Sequence, residues 1–375
     1  AGTWAGESGT LTCNEQSTSS SSSSSSSLQY SSSSSSIDSS SSSSIDSSSS
    51  SSNNPEKKVW IPDAFQNVVS IDTANGYAQH IYSIGASTSP NDVAIDSMGN
   101  IWICNYGTNN VSKLDASDGY SKTNYSVGSN PGAIAIDSND NVWVVNTSLT
   151  AFGYFISMLD ASDGYSETQY AALTSPRVIA IDSSDNVFVG GDRGDVGYPE
   201  SLSKFVKSNN YSREDYLDLI SGGLYGIAVD SNDYVWVVHQ NAQLLYKLDK
   251  DDLDSILDSY AVGASASKVD IAPNGNFAIA GGSGVVFLDA SDGFSKTDIS
   301  VPYANSTLVY GIAFDENNNI WCCGGGFFEP VTNTTLFEYP EYTQAQRKDF
   351  KVGLGLPPSC IATRYLVEEA SSSSN

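Results

Sequence analysis

The chain has 375 residues, 43 of them acidic and 17 basic, for a net charge of −26. That length accommodates one large domain with appendages, and the charge repels phosphate backbones and anionic lipid heads, which excludes nucleic acid and membrane surfaces as expected partners. No run of about 18 apolar residues exists to span a bilayer.

The small, uncharged run Ala1 to Gly6 reads as the start of a mature secreted chain, and the expected location is extracellular or at the cell surface. Between Ser17 and Ser52 nearly every residue is serine, broken by Leu28-Gln29-Tyr30, Ile37-Asp38 and Ile45-Asp46. Ordering such a segment costs roughly 1 to 2 kcal/mol per residue, more than so few apolar groups return, so it needs a partner outside itself. Ile37 and Ile45 are separated by an even number of residues, which puts both on one face of an extended strand. Leu28, Tyr30, Ile37 and Ile45 are therefore the candidate contacts of an arm spanning residues 1–54. At roughly 3.3 Å per residue the serine tract reaches about 120 Å, past a body about 50 Å across. The expectation is a homopolymer formed head to tail through the arm, and an O-glycosylated stalk is a compatible reading of the same serines.

Residues 55–366 repeat. An apolar pair, Asp, a polar turn, Asn, an apolar residue and an aromatic recur from Ala94-Ile95-Asp96 to Trp102, from Ala135-Ile136-Asp137 to Trp143 and from Ala180-Ile181-Asp182 to Phe188. The pattern continues from Ala228-Val229-Asp230 to Trp236 and from Ala313-Phe314-Asp315 to Trp321, with Asp270 to Ala278 as a degenerate copy. The aromatic positions 60, 102, 143, 188, 236, 278 and 321 give a period in the low forties, the signature of a propeller blade. Within the second repeat, Asp92 to Asp96, Ile101 to Asn105, Val111 to Leu114 and Ser121 to Val127 read as strands a to d. The turn Asp115-Ala116-Ser117-Asp118-Gly119 returns unchanged at Asp160 and Asp289. The first repeat lacks strand a, and Pro358 to Thr363 supplies a matching segment at the other end. The predicted fold is all-β: a seven-bladed β-propeller with a C-terminal strand completing the first blade, an extended Ser-rich arm before it and a Ser-rich tail, 367–375, after it.

The repeated Asp-Ser-x-Asp/Gly-Asn-Val/Ile-Trp, with its recurrent Leu-Asp, resembles the NHL-type and virginiamycin B lyase-like propeller repeats over the body alone. The resemblance implies a fold that serves enzymes, binding platforms and structural parts alike. Its lyases act through a histidine acid/base and a metal-assisted site. Here only His80 and His239 exist, His80 on an outer strand d and His239 without a partner motif, so no lyase residue carries over.

Propeller topology collects the repeated acids on one face. Asp96, Asp137, Asp140, Asp182, Asp185, Asp230, Asp233 and Asp315 come from a–b turns; Asp115, Asp118, Asp160, Asp163, Asp289 and Asp292 come from c–d turns. Such a face could hold Ca²⁺ or meet a complementary surface in a stack, but turn capping is the better-supported account, since a repeated turn repeats its Asp. The b–c ends, Asp63, Asn105, Asn146, Gly191, His239, Gly281 and Gly324, form the expected ligand ring on the other face. Trp60, Trp102, Trp143, Trp236 and Trp321 are expected between blades, with Tyr77, Tyr120, Tyr165 and Phe294 covering the outer edge.

Nucleophile elbow, phosphate loop and zinc-helix motifs are all missing, and no catalytic, cofactor or metal residue is assigned. Sequons at Asn110, Asn124, Asn146, Asn210, Asn305 and Asn333 are candidate glycosylation sites. In an oxidising compartment Cys360 pairs with Cys322 or Cys323 and Cys13 anchors the arm, the alternative being buried thiols. The sequence thus predicts a non-enzymatic, glycosylated subunit of an extracellular filament or surface assembly. Its alternatives are a carbohydrate- or protein-binding propeller platform and a lyase-like propeller enzyme.

Overall fold

A computed structural model describes residues 57–363, apart from 64, 152, 173–174, 192–200, 218–222, 264, 283, 301–307, 316, 326–332, 341–347 and 354–361. The chain divides between residues 53 and 54; the arm, with Leu28, Tyr30, Ile37 and Ile45, and the tail after 366 lie outside the described residues. No helix among the described residues is long and apolar enough to cross a membrane.

Alternating apolar residues and Asp, Asn or Gly turns fold every repeat into an antiparallel four-stranded meander, as the sequence predicts. Blade 1 contains β1 (Lys58–Pro62), β2 (Asn67–Asp72) and β3 (Ala78–Ser83). Blade 2 is β4 (Pro90–Ile95), β5 (Ile101–Asn105), β6 (Asn110–Asp115) and β7 (Ser121–Ser126). Blade 3 is β8 (Pro131–Ile136), β9 (Val142–Thr150), β10 (Gly153–Asp160) and β11 (Ser166–Ala172). Blade 4 is β12 (Pro176–Ile181), β13 (Val187–Gly191), β14 (Ser201–Val206) and β15 (Ser212–Leu217). Blade 5 is β16 (Leu224–Val229), β17 (Val235–His239), β18 (Leu244–Leu248) and β19 (Ile256–Ala261). Blade 6 is β20 (Ala266–Ile271), β21 (Phe277–Gly281), β22 (Gly284–Asp289) and β23 (Ser295–Ser300). Blade 7 is β24 (Leu308–Phe314), β25 (Ile320–Gly325), β26 (Asn333–Tyr339) and β27 (Lys348–Gly353).

The last strand, β28 (Ala362–Thr363), pairs with Trp60 and Val59 and becomes strand a of blade 1. The predicted closure is present: each innermost strand packs against the next around a ring that ends where it began. Strand a starts earlier than expected, at Pro90 rather than Asp92. Proline is tolerated there because the first residue of a strand can dispense with its N–H.

Between blades lies the core. Trp60, Trp102, Trp143, Trp236 and Trp321 are all buried, and on each packs the aromatic that follows the left-handed c–d turn residue of the next blade, a glycine everywhere but at Asn210. Ring centroids are 4.8 Å apart for Trp60 and Tyr120, 4.6 Å for Trp102 and Tyr165, and 4.6 Å for Trp143 and Tyr211. Phe294 sits 5.6 Å from Trp236, and Tyr77, 6.3 Å from Trp321, closes the series. The expectation that these rings cover the outer edge is corrected: they bolt neighbouring blades together. Their backbones are held at φ 55 to 69°, a region that bulky residues rarely adopt, so the contact outweighs that strain.

Candidate functional site

The acidic face answers the Ca²⁺ expectation first, because its carboxylates are already engaged. Asp137 Oδ1 accepts the N–H groups of Asn139 and Asn141, while Oδ2 accepts Asn141 Nδ2 and the indole N–H of Trp143 at 3.0 Å. Asp96 does the same for Met98, Asn100 and Trp102. In blades 5 and 7, Asp230 and Asp315 hold Trp236 and Trp321. The acid three residues further on reaches back to the preceding blade. Asp140 takes the N–H and hydroxyl of Ser97, Asp185 those of Ser138, and Asp233 those of Ser183. In the c–d turns Asp115, Asp160 and Asp289 cap short 3₁₀ turns that end on left-handed glycines. No cluster of three or more His, Cys, Asp or Glu residues suited to a metal occurs among the described residues.

At the opposite end, the expected b–c ligand ring is not a ligand surface. Asn105, Asn146 and His239 are 0, 2 and 1% exposed, sealed under strand-a backbone to which they pair. Asp63 caps its own loop by accepting from Phe65, Gln66 and Asn67. His239 takes the N–H of Ala242 on Nδ1 at 2.8 Å, which places its ring proton on Nε2 and makes it a turn anchor. His80 is exposed on the outermost strand β3.

What opens at this end is a cavity of about 300 Å³ lined by Asn91, Gly132, Thr147, Arg177, Val178, Tyr225, Ser267 and Lys268. Its construction is regular. In each of blades 2 to 7 the a–b register slips by one residue on the inner strand, at Asn91, Gly132, Arg177, Tyr225, Ser267 and Tyr310. A bulge re-aims its residue, and five of these six line the cavity. Gly132 keeps one wall open, since a Cβ there would stand 2.5 Å from Thr147 Cγ2. Sequence reasoning looked at the turn ends and missed these positions. The available signal was their diversity, Asn, Gly, Arg, Tyr, Ser and Tyr at one place in otherwise repetitive strands.

The cavity has a defined electrostatic character. Lys268 Nζ lies 3.8 Å from Asp92 Oδ1, an ion pair reaching from blade 6 to blade 2. Asp92 also accepts the N–H of Ile134 at 3.0 Å, and Asn91 donates to the carbonyl of Gly132 at 2.6 Å. The exposed Arg177 guanidinium stacks 5.3 Å from the Tyr225 ring. Lys268 and Asp92 offset one another, and Arg177 adds a second cation to the lining. Two residues along β20 from Lys268, Asp270 accepts the N–H of Phe314 at 2.7 Å, and burial pushes its carboxyl up to about 6 against the backbone donors of Phe314 and Ile271.

The remaining candidates fall elsewhere. Cys104 is buried, and burial, followed by the Asp92 charge, pushes its thiol up. Cys322 and Cys323 are buried on β25; Cys13 and Cys360 lie outside the described residues. Among the sequons, Asn146 donates Nδ2 to Ser157 at 2.8 Å inside the blade, which leaves no room for a sugar on the folded chain. Asn110 accepts from Asn105, Asn124 is exposed and accepts from Ser112, and Asn210 is exposed in a turn. Asn333 begins β26, and Asn305 lies outside the described residues.

No protein-family model matches this chain, and no curated protein matches its sequence. Solved structures do. A streptogramin B lyase structure aligns with TM-score 0.60 at 16% identity over 71% of this chain and 86% of that one. A catalytically inactive His-to-Ala variant of virginiamycin B lyase from Staphylococcus aureus, with quinupristin, gives 0.60 at 14% over 71% and 88%. The WD40 β-propeller domain of Doa1 gives 0.58 at 12% over 72% and 86%. The seven-bladed propeller is a fold this chain shares with lyases and with a WD40 domain. The expectation that the chain is no enzyme is thereby corrected: the architecture is one on which enzymes are built.

Proposed function

We propose that the propeller is a carbohydrate-binding platform whose site is the bulge-lined funnel, and that its ligand is an acidic saccharide. The observation that carries this reading is the convergence of five bulged residues on one open cavity. Arg177 matches a carboxylate, the Tyr225 ring offers a face to a sugar, and the polar side chains of Asn91, Thr147, Ser267 and Lys268 suit hydroxyls. Only 17 Lys and Arg occur in the chain, and two of them line this cavity. The long-range field of an acidic protein decays within about 8 Å at physiological salt, so local cations govern the site.

Calorimetric titration with uronic-acid-containing and neutral oligosaccharides tests the reading. Acidic sugars are expected to bind at least about tenfold more tightly, with the preference lost in Arg177→Ala. Equal binding of both, or of neither, overturns it.

Turnover by a lyase route is the second reading, favoured by the Lys268 amine and Tyr225 phenol lining the same cavity. A carboxylate neutralised by Arg177 acidifies the proton on its α-carbon; a Tyr225 phenolate would take that proton while the C–O bond at the β-carbon breaks, and the departing oxygen would take a proton from the Lys268 ammonium. An ultraviolet-absorbing unsaturated product from an acidic oligosaccharide supports it; full binding without product leaves a binding protein. Filament assembly rests on residues 1–54 and draws nothing from the propeller.

A further inference from the structure

Around the funnel runs an apolar arc that the saccharide reading alone does not use. Of the exposed large apolar side chains, Phe65, Tyr106 and Leu149 all occur at this end, in the b–c connections of blades 1, 2 and 3. The connections are laced together. Ser89 N–H and the Thr88 hydroxyl donate to Phe65 O, and Tyr106 N–H donates to Ser89 O.

Asn130 is the next link, with φ 55°. Its N–H goes to Asn109 Oδ1 at 2.9 Å and its Nδ2 to Tyr106 O at 3.2 Å. Its carbonyl receives the N–H and hydroxyl of Thr147, and its side-chain oxygen receives the Ser148 hydroxyl. That lacing fixes the β9–β10 hairpin, whose strands of nine and eight residues are the longest b–c pair among the described residues. Thr147 lines the funnel, and Leu149 follows two residues later, within about 7 Å of backbone. Leu149 is 67% exposed, the most of any large apolar side chain among the described residues.

We propose that the β9–β10 hairpin is a specificity lip, with Leu149 and Tyr106 receiving an apolar group attached to the acidic sugar. This rests on the funnel reading and sharpens its ligand to a uronic acid bearing an aryl or alkyl substituent. The carboxylate binds Arg177, and the substituent leaves the cavity over blade 3, where a rigid hairpin holds apolar surface in water. A preformed apolar contact beside a charged anchor favours the substituted sugar without ordering either partner further.

Methyl and phenyl β-D-glucuronide, titrated calorimetrically into the full chain, separate the lip from the funnel. The phenyl compound is expected to bind about fivefold or more tightly than the methyl one. Leu149→Ala should bring the two within about twofold while leaving methyl glucuronide affinity and thermal midpoint unchanged, and Tyr106→Ser should act in the same direction. An unchanged phenyl-to-methyl ratio in Leu149→Ala, or no phenyl preference in the parent, overturns the lip with the funnel reading intact. Failure of both glucuronides to bind overturns both.

Discussion

The two ends of this propeller use polar residues in opposite ways. At the acidic end one Asp satisfies four donors, and the device is repeated from blade to blade, as Asp96 and Asp137 show. At the funnel the five bulged positions that line it, Asn91, Gly132, Arg177, Tyr225 and Ser267, differ in chemistry while sharing one geometry. Repetition accompanies closure of the hydrogen bonds within the fold; divergence accompanies side chains turned toward an open cavity. A chain with 43 acids therefore builds a large negative surface without a metal cluster among its described residues, and puts two of its cations in the lining of one open cavity.

The largest test of that contrast is Asp137→Ala. The carboxylate is 5% exposed, and its loss strands the indole N–H of Trp143 and the amide of Asn141 in the blade interior. Stability should fall by about 3 to 4 kcal/mol, measured by urea denaturation, with ligand affinity of the folded protein unchanged. A loss below about 1 kcal/mol would mean that turn preference, not the four-donor bond set, explains the repeated acid.

Asp270 sharpens the contrast from inside the channel. Its folded-state value of about 6 lies above the ordinary carboxylate value of 3.8, so between those limits the native chain holds a proton that the unfolded chain has released. Its contribution is greatest below about pH 4, declines as pH rises to about 6 and is constant above. The full span amounts to roughly 2 kcal/mol after discounting for the surface Asp270 keeps. Asp270→Asn should remove that decline, so that the variant gains on the parent between pH 4.5 and 7.5 in denaturation curves. Parallel pH profiles would show that the channel carboxyl is not held protonated by its surroundings.

Arg177→Ala reverses the pattern of Asp137→Ala. The side chain is exposed, so the thermal midpoint should stay within about 1 °C while affinity for an acidic saccharide falls about tenfold, near 1.4 kcal/mol. A destabilised variant with unchanged affinity would return Arg177 to the structural side of the comparison.

These positions also show what sequence made legible. Blade count, the shared first blade and the turn acids were readable because each rests on local chemistry at a fixed period: strand alternation, Asp capping, a glycine at positive φ. The funnel was not, because a bulge is a mismatch between two strands, and neither Asn91 nor Arg177 announces that its partner strand skips it. The inter-blade aromatics were half legible. Tyr120 and Tyr165 were visible as a repeat, yet their partners Trp60 and Trp102 belong to the preceding blade, and only the closed ring brings them together.

The smallest effect separates two roles of one repeated acid. Asp140 accepts the N–H and hydroxyl of Ser97 from the neighbouring blade while its own backbone sits at φ 61°. Asp140→Ala loses both bonds and keeps the left-handed backbone, so it should cost about 1 to 1.5 kcal/mol. Asp140→Gly loses the same bonds but relieves about 1 kcal/mol of backbone strain, which brings it close to the parent. Ser97→Ala, which keeps its N–H, should cost only about 0.5 kcal/mol. If glycine and alanine at 140 cost the same, the strain is negligible and the clasp alone accounts for the acid. If both are neutral, the clasp contributes nothing measurable, and the acidic end is held by its four-donor aspartates and the aromatic bolts.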